Sequence, residues 1–255
     1  MPSNLESGFS TSIEETGFSP RAPEDCRLYV IGDIHGRADL LRQLHEQILK
    51  DAASFLGRKV IITIGDYVDR GLQSFEVIEM LIQENLDGFE NIYLKGNHED
   101  FLIRFMEEGS QPKAWLTNGG VATLKSYNVN HFYSFLGRRG FEIIRQRLRK
   151  NMPQSHFDFL GRLVMFHREG DYLIVHAGVR PGISLEKQDD HDLLWIEDDF
   201  LNSDADFGYV VVHGHTIQPL PDIRFNRINI DTGAYRTNRL TCLVLEGDSR
   251  RFLHT

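Results

Sequence analysis

Five short apolar runs in this chain stop at a glycine or histidine that adjoins a residue able to bind a cation or move a proton. In residues 59–71, KVIITIGDYVDRG, the run ends at Gly65, and Asp66, Asp69 and Arg70 follow within five positions. RLYVIGDIHG brings Asp33 and His35, NIYLKGNHE brings Asn97 and His98, DYLIVHAG brings His176, and GYVVVHGH brings His213 and His215. Charged groups at the ends of buried strands do little for packing, so the pattern points to a site.

Between these runs lie helical stretches. ADLLRQLHEQILKDAASFL sets Leu40, Leu41, Leu44, Ile48 and Leu49 on one stripe, and FEVIEMLIQEN and DFLIRFMEEG read the same way. Strands alternating with helices imply a largely parallel sheet whose strand ends share one edge, where ligands of open α/β sheets collect. Residues 111–168 read instead as a helical insertion, with pieces such as GFEIIRQRLRKN and SHFDFLGRLVMF joined by turns. The last third returns to strands in DYLIVHAG, GYVVVHGH, RINIDTGA and LTCLVLEG.

With 255 residues, 41% of them hydrophobic, the chain can bury one catalytic-sized core. Residues 1–24, rich in Ser, Glu, Pro and Gly, are expected to be a disordered tail, and residues 25–255 one domain. A net charge of −9 argues against nucleic acid or an anionic membrane as the main partner. Two distant cysteines, Cys26 and Cys242, suggest neither a disulfide framework nor a thiolate metal site. With no signal peptide or membrane span legible, a cytoplasmic, monomeric protein is expected. The basic run RRGFEIIRQRLRK reads as a solvated helix face; the sharper reading is a docking surface for acidic phosphoproteins.

Asp33, His35, Asp66, Asn97, His176 and His215 offer carboxylate, amide and imidazole donors, a set that suits Mn²⁺, Fe or Zn²⁺. Six ligands are too many for one ion with an open position and fit two ions sharing a carboxylate, for which Asp66 is the candidate. Two such ions can activate water and hold a phosphoester for in-line displacement. His98 is the expected general acid, oriented by Asp69. Arg70, with its fork of donors, is expected to bind the phosphate together with Asn97. His213, two residues before His215, is expected to be supporting or structural.

The motifs GDIHG, GDYVDRG, GNHE, HAG and GHT, in this order, resemble the phosphoprotein-phosphatase branch of the calcineurin-like metallophosphoesterases, above all its bacterial and phage serine/threonine phosphatases. The resemblance runs from about Arg27 to Leu253. It implies a central β-sandwich of two mixed sheets flanked by helices. Two divalent ions, in bacterial members usually Mn²⁺, would be held by Asp33, His35 and Asp66 and by Asp66, Asn97, His176 and His215. Attack by a metal-bridging hydroxide on phosphoserine or phosphothreonine of a protein or peptide is the activity implied. WLTNGGVATLKSY is similar to the segment that roofs the site in these relatives.

One position departs from the pattern. Where bacterial relatives commonly read Trp-Ile-Arg, this chain has Trp195-Ile196-Glu197, so a second phosphate clamp is replaced by a carboxylate. Either Glu197 points away, another cation such as Arg180 or Arg236 compensates, or the substrate differs. Three functions follow: a protein phosphatase; a symmetrical dinucleoside tetraphosphate hydrolase or broad nucleotide phosphatase, whose sequences typically lack the aspartate at position 69; and a non-catalytic scaffold, which would have lost ligands.

Overall fold

A computed structural model describes residues 19–84 and 86–255. The first sheet has strand order β10-β9-β1-β2-β3, built from β1 (Cys26–Ile31), β2 (Arg58–Thr63), β3 (Phe89–Tyr93), β9 (Thr241–Glu246) and β10 (Ser249–His254). β1, β2 and β3 run parallel, whereas β9 returns antiparallel to β1 and β10 hairpins back on β9. The second sheet has the order β4-β5-β6-β8-β7, from β4 (Phe166–Glu169), β5 (Tyr172–Val175), β6 (Val210–His213), β7 (Asp222–Ile223) and β8 (Arg227–Asn229). Its middle strands β5, β6 and β8 are parallel and its edge strands antiparallel. The single parallel sheet suggested by strand–helix alternation is thus two mixed sheets, because the C-terminal strands pair partly with β1 and partly among themselves.

The side-chain period of two explains the sandwich. Leu28 and Val30 of β1, Val60 and Ile62 of β2 and Leu243 of β9 pack in one buried layer with Ile174, Val212 and Ile228 of the second sheet. The alternate residues Tyr29, Ile31 and Ile61 face the helices α1 (Ala38–Ala52), α2 (Ser74–Gln83) and α3 (Asn97–Glu108). Leu173, Val175 and Val211 cover the far face with Leu193 and Phe200. Burying each aliphatic side chain contributes about 1.5–3 kcal/mol, so a one-residue slip, which would exchange both faces, is strongly disfavoured. On α1 the expected stripe is buried except Leu49, which is exposed at the helix's solvent edge.

The insertion holds α4 (Pro112–Trp115), a wide turn at Leu116–Gly120, α5 (Val121–Ser126), α6 (Gly137–Asn151) and α7 (Gln154–Leu160). Its helices end at Leu160 and not at 168. Residues 163–169 alternate in exposure, Val164 bridges to Leu94, and β4 pairs with β5. Residues 1–18 of the expected tail lie outside the described residues. Ala22 is already buried, its N–H donating to the Gly247 carbonyl at 2.8 Å, and the Tyr172 hydroxyl donates to the Pro20 carbonyl at 3.2 Å. Among the described residues, no helix is long and apolar enough to cross a membrane.

Candidate active site

The carboxyl ends of β1, β2 and β3 meet those of β5 and β6 at one edge of the sandwich, and the expected residues lie in the loops there. Asp33, Asp66 and His176 place ligand atoms within 4.8 Å of one another, as do His35, Asp66 and His98, with Asp66 common to both groups. His35 Nε2 is 3.3 Å and His176 Nε2 3.5 Å from the two Asp66 oxygens. The Asn97 amide lies 2.9 Å from His176 Nε2, and the His215 N–H donates to Asp33 at 3.2 Å. All these residues except His215 are buried to within a few per cent.

Second contacts aim the imidazoles. His35 Nδ1 donates to the Val68 carbonyl and His176 Nδ1 to the Ile64 carbonyl, each at 2.9 Å, which turns both Nε2 lone pairs toward Asp66. Burial pushes His176 down and His215 to about 3. Asp33 is raised by burial, Asp231 and Asp66. At Asp66 burial also pushes upward, but His176, His98 and His35 outweigh it and hold the carboxyl low.

These residues fit divalent cations. Asp33 Oδ1, His35 Nε2 and His215 Nε2 are buried without hydrogen-bond partners, an arrangement that costs stability unless a ligand completes it. Glycines back the carboxylates: a Cβ on Gly96 would stand 2.2 Å from Asp66 Oδ1, and one on Gly214 would stand 2.1 Å from Asp33 Oδ1. The mixed oxygen and nitrogen donors match borderline transition metals.

His98 Nδ1 meets Asp69 Oδ2 at 2.7 Å, leaving Nε2 on the Asp66 side, 3.9 Å from Oδ2. Burial works against the charged ring, but Asp66 and Asp69 prevail and raise the His98 pKa. Arg70 stands beside this cluster with its guanidinium 4.9 Å from the Tyr235 ring centre, and Tyr235 in turn packs edge-on to His35. Glu197 does not point away: its Oε1 lies 3.4 Å from His215 Nε2. Arg180 is tied up by Asp192 and Asp199. His213 packs on the Phe200 ring, away from the Asp66 cluster.

Sequence reasoning assigned no role to Glu99 or Asp231. Glu99, in the first turn of α3, accepts the N–H groups of Asp66 (2.8 Å), Tyr67 (2.8 Å), Val68 (3.2 Å) and Gly96 (3.0 Å). It pins the β2 loop to the helix that carries Asn97 and His98. Asp231, past β8, is buried with Oδ2 unpartnered, and its charge helps raise Asp33. NIDTG is another strand end carrying an aspartate, but its glycine stands two residues on, so the adjacency that marked the other turns passes it by.

Serine/threonine-protein phosphatase 2 of Escherichia coli K12 is 35% identical to this chain over 94 residues, 36% of this chain and only 38% of that protein's length. The asymmetrical bis(5'-nucleosyl)-tetraphosphatase PrpE of Oceanobacillus iheyensis is 24% identical over 239 residues, 84% of this chain and 87% of that one. The cold-active protein-tyrosine phosphatase of a psychrophilic Shewanella shares the fold, with a TM-score of 0.54 and 18% identity over 91% of this chain and 83% of its own. Residues 26–242 match the calcineurin-like phosphoesterase family, and the chain belongs to that family.

Proposed function

We propose that the protein hydrolyses phosphomonoesters and that its substrates are phosphoserine and phosphothreonine in proteins or peptides. The observation that carries this reading is the 2.7 Å contact of Asp69 with His98 beside Asp66. A serine or threonine alkoxide is a poor leaving group and needs a proton as it departs; a nucleoside phosphate leaves as a stable anion and needs none. His98 Nε2 gives the proton to the departing oxygen, and Asp69 holds the ring through Nδ1. Arg70 and Asn97 bind the phosphoryl oxygens, Arg70 through its planar fork of donors.

Two divalent cations, with Mn²⁺ the first choice, would be held by Asp33, His35 and Asp66 and by Asp66, Asn97, His176 and His215, and would activate water and neutralise phosphoryl charge. His98 is read as the acid and not as a ligand because its Nδ1 meets a carboxylate and its pKa is raised, whereas His35 and His176 donate to main-chain carbonyls. A cytoplasmic monomer completes the reading.

A second reading, hydrolysis of dinucleoside tetraphosphates or other nucleotides, is favoured by Glu197. A carboxylate 3.4 Å from His215, with Arg180 engaged by Asp192 and Asp199, repels a dianionic monoester. Metal-stripped protein re-supplied with Mn²⁺ should release phosphate from a phosphothreonine peptide faster than it forms ADP, or ATP and AMP, from diadenosine tetraphosphate at equal concentration. The reverse preference would overturn the first reading in favour of the second, and silence on both would leave a scaffold.

A further inference from the structure

We infer that the roof segment 115–123 of the helical insertion positions the catalytic Asp69–Arg70 turn, with Trp115 and Thr123 fixing the Asp69 carboxylate against His98. The inference rests on the phosphomonoester reading of the site and assigns part of its proton-transfer geometry to residues that touch neither phosphate nor metal.

Asp69 is fully buried, and among the described residues every side-chain donor to its carboxylate other than His98 comes from the insertion. Trp115 Nε1 donates to Oδ2 at 3.0 Å and to Oδ1 at 3.2 Å, and the Thr123 hydroxyl donates to Oδ1 at 2.6 Å. The same hydroxyl accepts the Asp69 N–H at 2.8 Å and meets Ser74 Oγ at 3.1 Å, which uses its full donor and acceptor capacity. One hydroxyl thus holds both the main chain and the side chain of Asp69. Trp115 in turn packs on Phe105 at 4.8 Å between ring centres, so α3, which carries His98, and the roof close on Asp69 from two sides.

The backbone between the two residues is shaped for the same task. Leu116–Gly120 is a kink between two helices, with non-helical backbone at Asn118 (φ −88°, ψ 15°) and Gly119 (φ 111°, ψ −3°). The Gly119 carbonyl accepts the Arg70 N–H at 3.3 Å. At φ +111° a Cβ on Gly119 would stand 2.7 Å from Arg70 N and 2.8 Å from its Cγ, so only glycine lets the roof lie this close. Asp69 and Arg70 both sit in the left-handed region, at φ 69° and 67°, a conformation that persists only where surroundings over-determine it. The roof supplies those surroundings. Without the Trp115 and Thr123 donors the Asp69 carboxylate can rotate, and the His98 ring loses its aim at the leaving oxygen.

Trp115→Phe keeps the ring that packs on Phe105 and removes only the N–H; Thr123→Val removes only the hydroxyl, and Thr123→Ser restores it. The Mn²⁺-loaded full chain is assayed on two monoesters, a phosphothreonine peptide, whose alkoxide needs a proton, and p-nitrophenyl phosphate, whose phenolate does not. Trp115→Phe and Thr123→Val should lower kcat on the peptide about 10- to 100-fold, a fraction of the ~10²–10⁴ available from general acid catalysis. On p-nitrophenyl phosphate the fall should stay within about three-fold, with metal content unchanged, and Thr123→Ser should recover the peptide rate. Equal losses on both substrates, losses that track metal content, or peptide rates equal to wild type in both variants would each overturn the inference. Wild-type protein inactive on both monoesters would overturn the phosphomonoester reading itself, a failure visible before any variant is compared.

Discussion

Glu99→Gln tests whether the β2 loop is held by α3. The carboxylate receives four main-chain N–H groups, Tyr67 and Val68 on Oε1 and Asp66 and Gly96 on Oε2. Glutamine keeps one acceptor oxygen and offers an NH₂ in place of the other, so whichever way the amide turns, two buried N–H groups face a donor. Burial and Asp66 push the Glu99 carboxyl up to about 8 while the backbone donors pull it down. A protonated carboxyl would set its own O–H among the donors on one oxygen, so the loss on substitution is largest for the ionised form.

Each buried donor left unpaired costs about 1–3 kcal/mol, so the substitution should cost about 2–6 kcal/mol. Against a typical total of about 5–15 kcal/mol this is a large fraction. At about 2–4 °C per kcal/mol for a domain of this size, the melting temperature should fall by roughly 4–24 °C. Urea unfolding of metal-free protein, followed by fluorescence, gives the change directly from the shift in midpoint at constant slope. A loss below about 0.5 kcal/mol with the slope unchanged would refute the reasoning, because it would mean that the loop amides find other acceptors.

Asp66→Asn should abolish metal-supported turnover together with binding of the second ion; near-wild-type turnover would remove Asp66 as the shared ligand. His98→Asn should lower kcat on a phosphothreonine peptide by roughly 10²–10⁴-fold with metal content unchanged, whereas a drop in bound metal would make His98 a ligand. Glu197→Arg should lower KM for small phosphoesters by removing a carboxylate from beside His215, and an unchanged KM would show that this edge does not meet the phosphate. His45, far from these turns on α1, is depressed to about 4 by burial and then Arg42, below its ordinary 6.5. Its neutral ring therefore contributes stability that is complete above pH 6.5 and is lost as pH falls toward 4. At 1.36 kcal/mol per pKa unit the loss approaches ~3 kcal/mol. Urea midpoints at the two pH values should differ less in His45→Leu, and an equal difference would exclude this source.

The ligand turns were legible because each joins two signals, an apolar run of strand length and a glycine beside a rare residue type. That reading needs no knowledge of which strand pairs with which. The sheet topology was not available in the same way: KVIITI and LTCLVL look alike as strings, yet β2 is parallel to β1 and β9 antiparallel to it. Pairing direction depends on the path of the intervening chain, and only the resemblance to a known family supplied the second sheet. Residues 163–169 were missed because a period-two run of mixed polarity directly after a helix carries little apolar signal. Trp115, Thr123 and Glu99 were quoted in motifs but had no legible role, since their partners at Asp69 and in the β2 loop lie 31 to 54 positions away and a hydrogen bond across that gap leaves no periodicity.

The backbone separates a site from ordinary turns in a way that residue types cannot. Among the described residues, nine non-glycine positions have positive φ, and five of them are His35, Asp66, Asp69, Arg70 and His215. Of the other four, Asp25, Asn128 and Asn238 are types whose short polar side chains tolerate that region, with Gln111 the exception. Asp66 and Asp69 are of the tolerant type too, and histidine is enriched there, so Arg70 is the clearest outlier. At about 1–2 kcal/mol for Arg70 and less for the other four, the turns together hold a few kcal/mol of strain, a sizeable part of the net stability of a domain. Such strain survives only if other contacts force it, and the forcing contacts are those found around the cluster: His35 and Ile34 N–H to the Asp66 carbonyl, Gly71 N–H to the His35 carbonyl, Glu99 behind Asp66, and the roof above Asp69 and Arg70. Relaxed to extended backbone, the same residues would alternate in direction, as side chains do along any strand, and Asp66, Asp69 and Arg70 could not all face one point. The strained turns make sense only if that convergence is what the structure is held together to provide.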